Sequence, residues 1–153
     1  MEFRRTDGKN KNFIENCILL DMDLDRRVGN EIQRDKYNKY NQLDEIREAI
    51  VVYENNKPIG GGAIRRYNDE DIELKRVFVH PECQGRGIGT KLVSLLVEWA
   101  VELGYKRIIL ETGNILSEAC AVYKKIGFQV IPNYGPYVDI PESLCMAKDL
   151  ENK

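Results

Sequence analysis

Apolar residues recur along the chain at two spacings, and the switches between them mark out its elements. Met1–Thr6 alternates apolar and charged positions and reads as an edge strand. Phe13, Ile14, Cys17, Ile18 and Leu20 form a helical stripe over Asn12–Met22, followed by a charged connection through Asp25, Arg26 and Arg27. The Asn-, Lys- and Tyr-rich stretch between Asn30 and Leu43 reads as a weaker second helix. Three strands follow, Ala49–Glu54, Ile59–Tyr67 and Glu73–Val79, separated by turns at Asn55–Pro58 and Asn68–Asp71. Turns this short imply an antiparallel meander. Leu92, Leu95, Leu96, Trp99 and Leu103 then return to helical spacing. Lys106–Glu111 is a short apolar strand, Ser117 is a fitting N-cap for a helix over Glu118–Ile126, and Gly127 suits its C-terminal end. Phe128–Ile131 and Ser143–Lys148 close the chain as strands. This order predicts one α+β domain over residues 1–153, a mixed, mostly antiparallel sheet of about seven strands flanked by about four helices.

Composition narrows the class without naming an activity. A chain of 153 residues, 42% hydrophobic and 31% charged, can bury a substantial core. A net charge of −2 gives no general affinity for nucleic acid or anionic membrane, so neither is an expected partner. No apolar run approaches the ~20 residues that span a bilayer, and the polar N-terminus lacks a signal-peptide core. Cys17, Cys83, Cys120 and Cys145 are scattered and, with the single histidine His80, offer no zinc-ligand spacing. A cytoplasmic protein with reduced thiols and no metal site is the expectation.

The stretch from Glu73 to Trp99 carries the chemistry. A valine-rich strand breaks at His80-Pro81, passes through Gln84-Gly85-Arg86-Gly87-Ile88-Gly89-Thr90 and becomes a helix. Glycines let backbone come close to a ligand, and the first N–H groups of a helix lack partners and attract anions. A P-loop needs glycine directly before its lysine, where Thr90 stands before Lys91. The dinucleotide fingerprint needs a third glycine at the same Thr90 position. The residual pattern Gln84-x-x-Gly87-x-Gly89 resembles the coenzyme A pyrophosphate loop of the GNAT N-acetyltransferase superfamily. A tight turn with no ligand is the alternative. A second stretch, Ala119 to Tyr123 and on to Gly127-Phe128, is similar to that family's A-x-x-x-Tyr-x-x-x-Gly-Phe pattern. The resemblance runs from about Ala49 to Leu150.

The resemblance implies the GNAT fold, acetyl-CoA as cofactor, and roles for particular residues. Backbone N–H groups from Gln84, Gly85, Arg86, Gly87, Ile88, Gly89 and Thr90 would surround the pyrophosphate, with the Arg86 side chain adding charge. The main chain of Val77 and Val79 would bond the pantetheine arm. Tyr123 would act as general acid toward the departing thiolate, which a phenol of pKa ~10 can stabilise. An amine must lose its proton before it attacks, and Glu73, eleven positions before Gln84, is the expected base, with Glu111 or water as alternatives. The competing reading of Glu73 is an exposed strand carboxylate paired with Lys75 or Arg76, and that of Tyr123 is a packing tyrosine. The family often carries asparagine seven residues before the tyrosine. Here Leu116 stands there, with Asn114 and Ser117 nearby as substitutes.

The acceptor side rests on Tyr134 and Tyr137, in an aromatic loop before the last strand, and on Arg76, which can meet an acceptor carboxylate or simply face solvent. The ending of the chain looks like that of small bacterial amino-acid or small-amine acetyltransferases. The expected function is direct acetyl transfer to a primary amine of a small molecule. The alternatives are a modifier of protein N-termini, lysines or aminoacyl-tRNA, and a non-catalytic acetyl-CoA-binding module. Small enzymes of this kind often pair, so a homodimer is expected.

Overall fold

Why the chain makes a split sheet follows from how its fourth strand is built. The computed structural model describes residues 1–28, 46–113 and 117–150. Among them lie seven strands and three helices: β1 (Glu2–Thr6), α1 (Lys11–Val28), β2 (Glu48–Glu54), β3 (Lys57–Arg66), β4 (Asp71–Val79), α2 (Ile88–Glu102), β5 (Arg107–Gly113), α3 (Ser117–Ile126), β6 (Gln129–Ile131) and β7 (Ser143–Asp149). The helix expected between Asn30 and Leu43 falls outside the described residues. Helix α1 runs on through the charged stretch that reads as a connection, because charge alone does not end a helix and no glycine intervenes before Gly29. Its first turn is capped by Asn10, whose Oδ1 accepts from the Phe13 N–H at 3.0 Å.

The strands form one sheet in the order β1-β2-β3-β4-β5-β7-β6. Every pairing is antiparallel except β4 with β5, which the crossover helix α2 makes parallel. The strands alternate, so each face has its own core. Ile50 and Val52 of β2, Ile72 and Leu74 of β4, and Ile108 and Leu110 of β5 pack with Leu92, Leu96 and Ala100 of α2. On the other face Ala49, Val51 and Ala63 pack with Phe13 and Cys17 of α1. Tyr137, Ile140 and Cys145 make a smaller apolar cluster under the loop before β7.

Two irregularities in β4 create the opening. Its register against β3 slips between Gly61 and Ala63, where Gly61 faces Phe78 but Ala63 faces Lys75. Arg76 and Val77 therefore oppose Gly62 alone, and Arg76 takes φ +59°, a left-handed conformation uncommon for a side-chain-bearing residue. The bulge switches the phase of the strand. Glu73 and Lys75 precede it facing away from α2, while Val77 and Val79 follow it packed toward α2. The parallel ladder with β5 is also short, ending after Asp71–Arg107, Ile72–Ile108 and Glu73–Ile109. At this closed end Arg107 grips Asp71 with two hydrogen bonds, at 3.2 and 3.0 Å, and the Lys106 N–H donates to the Glu70 carbonyl at 2.8 Å. Beyond Glu73 the two strands part.

The glycine run Gly60-Gly61-Gly62 belongs to the packing of this bulge. A Cβ on Gly60 would lie 2.7 Å from the Phe78 carbonyl oxygen, a contact that neither rigid backbone can relieve. Gly60→Ala is expected to cost about 1–3 kcal/mol, read as a lower urea midpoint with an unchanged slope. An unaltered midpoint would show that β3 and β4 can separate there.

Candidate functional site

The residues flanking the split come from both faces of the sheet. On the α2 face, β4 leaves the sheet at His80 and turns through a short 3-10 segment, Pro81–Cys83, into the glycine loop. Gly85 and Gly87 adopt φ +82° and +77°. A Cβ on either would touch nothing within 4 Å, so glycine is needed here for conformation and the space around the loop is open. Gly87 is the N-cap of α2 and no side chain caps that end, which leaves the first N–H groups of the helix available to an anion. The Gln84 side chain donates instead to the Val79 carbonyl at 3.1 Å and ties the loop back to the strand.

A cavity of about 520 Å³ opens from this loop. Gln84, Gly85 and Gly87 through Thr90 border one end, Val77 and Val79 form a wall, and Tyr123 with Val122 of α3 lies across from them. The volume lies within the ~300–1,000 Å³ usual for small-ligand sites. The lining is largely apolar, which suits an extended arm with its charged group at the helix end. Tyr123 is 8% exposed and packs against Phe128 with ring centroids 5.8 Å apart. Burial, reinforced by Cys120 and Glu111, pushes its phenol pKa well above the ordinary value, so it holds its proton at neutral pH and can donate it.

Arg86 is placed differently from its neighbours. Its guanidinium forks onto the Glu54 carboxylate at 3.0 and 2.5 Å, so in this state its charge is engaged by the end of β2. The composition of the loop gave no hint of Glu54, because the pairing joins segments 32 residues apart. Sequence reasoning also missed Leu20 of α1 and Cys83, Val93 and Ala119 as lining residues. Ala119, one turn before Tyr123 on the same helical face, was recoverable from spacing; Leu20 was not. Ser117 begins α3, and Asn114 lies outside the described residues.

On the opposite face, just where β4 and β5 part, stands a polar cluster. Glu73 is 3% exposed, so it is not the exposed strand carboxylate of the competing reading. Its Oε2 accepts the Tyr134 hydroxyl at 2.5 Å, and its Oε1 lies 3.7 Å from Arg65 and 3.8 Å from Lys75. The Lys75 ammonium is buried as well and donates to the Tyr137 hydroxyl at 3.2 Å. Burial lowers the Lys75 pKa, an effect opposed by the attraction of Glu73. Tyr67, Tyr134 and Tyr137 meet edge to face, with centroids 5.3 and 5.5 Å apart. Tyr137 is 2% exposed and forms the floor of this cluster, while Tyr134 is half-buried at its rim. Glu111 accepts the Ser143 hydroxyl at 2.7 Å. Arg76 sits at the bulge between the two groups. His80 turns out to brace the fold: its Nε2 lies 3.1 Å from Asn16 Oδ1, and Asn16 donates to the Gly60 carbonyl at 2.9 Å.

A split sheet, an uncapped helix start behind a glycine turn and a buried phenol across an apolar cavity make a cleft suited to an anionic ligand with an extended apolar arm. The sequence profile of the acetyltransferase (GNAT) family matches residues 18–128, and the chain belongs to that family. It is 39% identical over 85 residues to the uncharacterized N-acetyltransferase YjgM of Escherichia coli, covering 54% of this chain and 50% of that relative. It is 34% identical over 102 residues to the IAA acetyltransferase of Azospirillum brasilense, 66% of this chain and 67% of the relative. Among solved structures, a GNAT family acetyltransferase from Elizabethkingia anophelis with acetyl-CoA bound superposes with a TM-score of 0.61 at 21% identity, over 83% of this chain and 88% of that one. No helix among the described residues is long and apolar enough to cross a membrane, and none of their His, Cys, Asp and Glu side chains cluster as a metal site.

All four cysteines are buried, and burial pushes the Cys145 thiol up to about 11. Ellman's reagent at pH 8 is therefore expected to react slowly with the native protein and promptly with four thiols in denaturant. Four fast native thiols would contradict the packing described here.

Proposed function

We propose that this chain is an acetyl-CoA-dependent N-acetyltransferase that moves an acetyl group to a primary amine of a small molecule by direct transfer. The observation that carries the reading is the continuity of one cavity, from the free N–H groups at the start of α2, past Val77 and Val79, to the Tyr123 phenol. A diphosphate suits the first end, an extended apolar-amide arm suits the wall, and a thioester suits the phenol. The acetyl-CoA complex of the Elizabethkingia relative supports the same choice of cofactor. When bound, acetyl-CoA supplies the activated acyl carbon.

The residues of the chain divide the remaining work. The glycine turn and the α2 amides hold the diphosphate, aided by the helix dipole. Arg86 joins them if it leaves Glu54. The main chain of Val77 and Val79, beyond the last β4–β5 pair, would bond the arm as an added strand. Tyr123 keeps its proton and gives it to the departing sulfur. The Glu73 cluster takes up the proton lost by the amine, and holding both reactants across the split lowers the barrier by proximity. Tyr134 and Tyr137 shape the acceptor side, with Arg76 beside them. The tight aromatic packing around Glu73 favours a small acceptor over a protein chain. Asn114 and Ser117 are proposed, from sequence alone, to contact the cofactor arm.

A thiol-release screen with acetyl-CoA against free amino acids, polyamines, aminoglycosides and peptides tests the activity. With an accepted amine, Tyr123→Phe is expected to lower kcat about 10²-fold or more while calorimetry shows undiminished acetyl-CoA affinity. Full turnover by that variant would remove the general-acid role. Gly87→Ala, which strains the backbone at positive φ without a clash, is expected to weaken acetyl-CoA binding about 5- to 30-fold, on the ~1–2 kcal/mol cost of a left-handed side-chain-bearing residue. Unchanged affinity would place the diphosphate elsewhere.

A further inference from the structure

Glu73 has the right place for a base but no open approach. Its side chain is 3% exposed, Oε2 is covered by the Tyr134 hydroxyl at 2.5 Å, and Oε1 faces the Arg65 and Lys75 cations. Of the groups hydrogen-bonded to the Glu73 carboxylate, the partly exposed one is Tyr134, at the rim of the cluster beside Tyr67. The phenol already donates its proton inward, so the outward lone pair on its oxygen remains to accept one.

We propose that Tyr134 is the catalytic residue that meets the acceptor amine, and that Glu73 acts through it as the end of a two-step proton relay. The inference rests on the acetyl-transfer reading above and says which groups of the acceptor side do the work. The amine nitrogen forms its bond to the acyl carbon with its own electron pair. One N–H proton passes to the Tyr134 oxygen while the Tyr134 proton passes to Oε2 of Glu73. The carbon–sulfur bond breaks with its electrons going to sulfur, which takes the Tyr123 proton. Glu73, now neutral, and Tyr123, now phenolate, return to their starting states by exchange with solvent, so the proton balance closes.

The surroundings suit each role. Burial and then the Glu73 carboxylate push the Tyr134 phenol far above its ordinary pKa, so it does not ionise by itself and passes a proton only in concert. The groups around the pair include Arg65 from β3 and Tyr67 just after it, Lys75 from β4, Arg107 and Glu111 from β5, Tyr137 from the turn before β7, and Cys145 from β7. The Arg65 and Lys75 side chains lie beside Glu73 and compensate a carboxylate in this buried position. The working base is the Glu73 carboxylate.

The test compares wild type, Tyr134→Phe, Glu73→Gln and the double variant. Tyr134→Phe retains the ring that packs on Tyr67 and Tyr137, and Glu73→Gln retains the side-chain shape. Each is checked by circular dichroism and by calorimetric acetyl-CoA affinity. With an amine accepted in the screen, each single change is expected to lower kcat about 10²-fold or more, and the double variant is expected to fall no lower than the singles. Without any ligand, the short hydrogen bond is expected to give a proton resonance far downfield of the amides that disappears in both single variants. Wild-type turnover in Tyr134→Phe, losses that multiply in the double variant, or no such resonance in wild type would overturn the relay and leave acetyl transfer standing. Wild-type protein that binds acetyl-CoA but acetylates no amine would instead overturn the transfer reading, and the relay with it.

Discussion

The parallel ladder between β4 and β5 stops after three residue pairs, and the split in the sheet depends on that stop. A parallel pair normally continues until one strand ends, because unpaired main-chain groups cost free energy when buried. Here the strands are clamped at one end, by the Asp71–Arg107 fork and the Glu70 carbonyl, and pushed apart at the other by the bulge at Arg76. The result is a strand edge in the middle of a sheet. Such an edge is a liability in an ordinary protein, and a ligand that bonds it as a strand would turn it into a binding surface.

The bulge does a second thing that the clamp cannot. By inserting one residue into β4 it sends Glu73 and Lys75 to one face and Val77 and Val79 to the other. One strand thereby serves two environments: an apolar wall toward α2 and α3, and a charged cluster on the far face. An unbulged β4 would put Glu73 and Val77 on the same side of the sheet. The tightly packed Gly60–Gly62 run and the Asn16–His80 contacts hold the neighbouring strand close enough for this geometry to persist.

The two faces differ in how they treat charge. The cavity face offers donors without counter-charges at the helix start, an arrangement that rewards an anionic ligand. The far face buries its ions in compensated sets, with Glu73 facing Arg65 and Lys75 and two tyrosine hydroxyls completing the hydrogen bonding. Buried ions of this kind add little to stability once desolvation is counted.

Local sequence was enough for much of this. Glycines at Gly85 and Gly87, the apolar stripe of α2 and the Tyr123–Gly127-Phe128 spacing follow from short-range backbone rules, since a turn, a helix and a cap are decided within a few residues, and the structure places Gly85, Gly87 and Tyr123 around one cavity. The strand order of the meander was legible for the same reason. What sequence could not decide were relations between distant segments: the length of the β4–β5 ladder, the phase change at Arg76, the fork between Arg86 and Glu54, and the burial of Glu73 under Tyr134, 61 residues away. Each depends on which strand lies beside which and where its register slips. Those are set by the closing of the sheet around its two cores, a balance of packing that no single stretch of the chain contains.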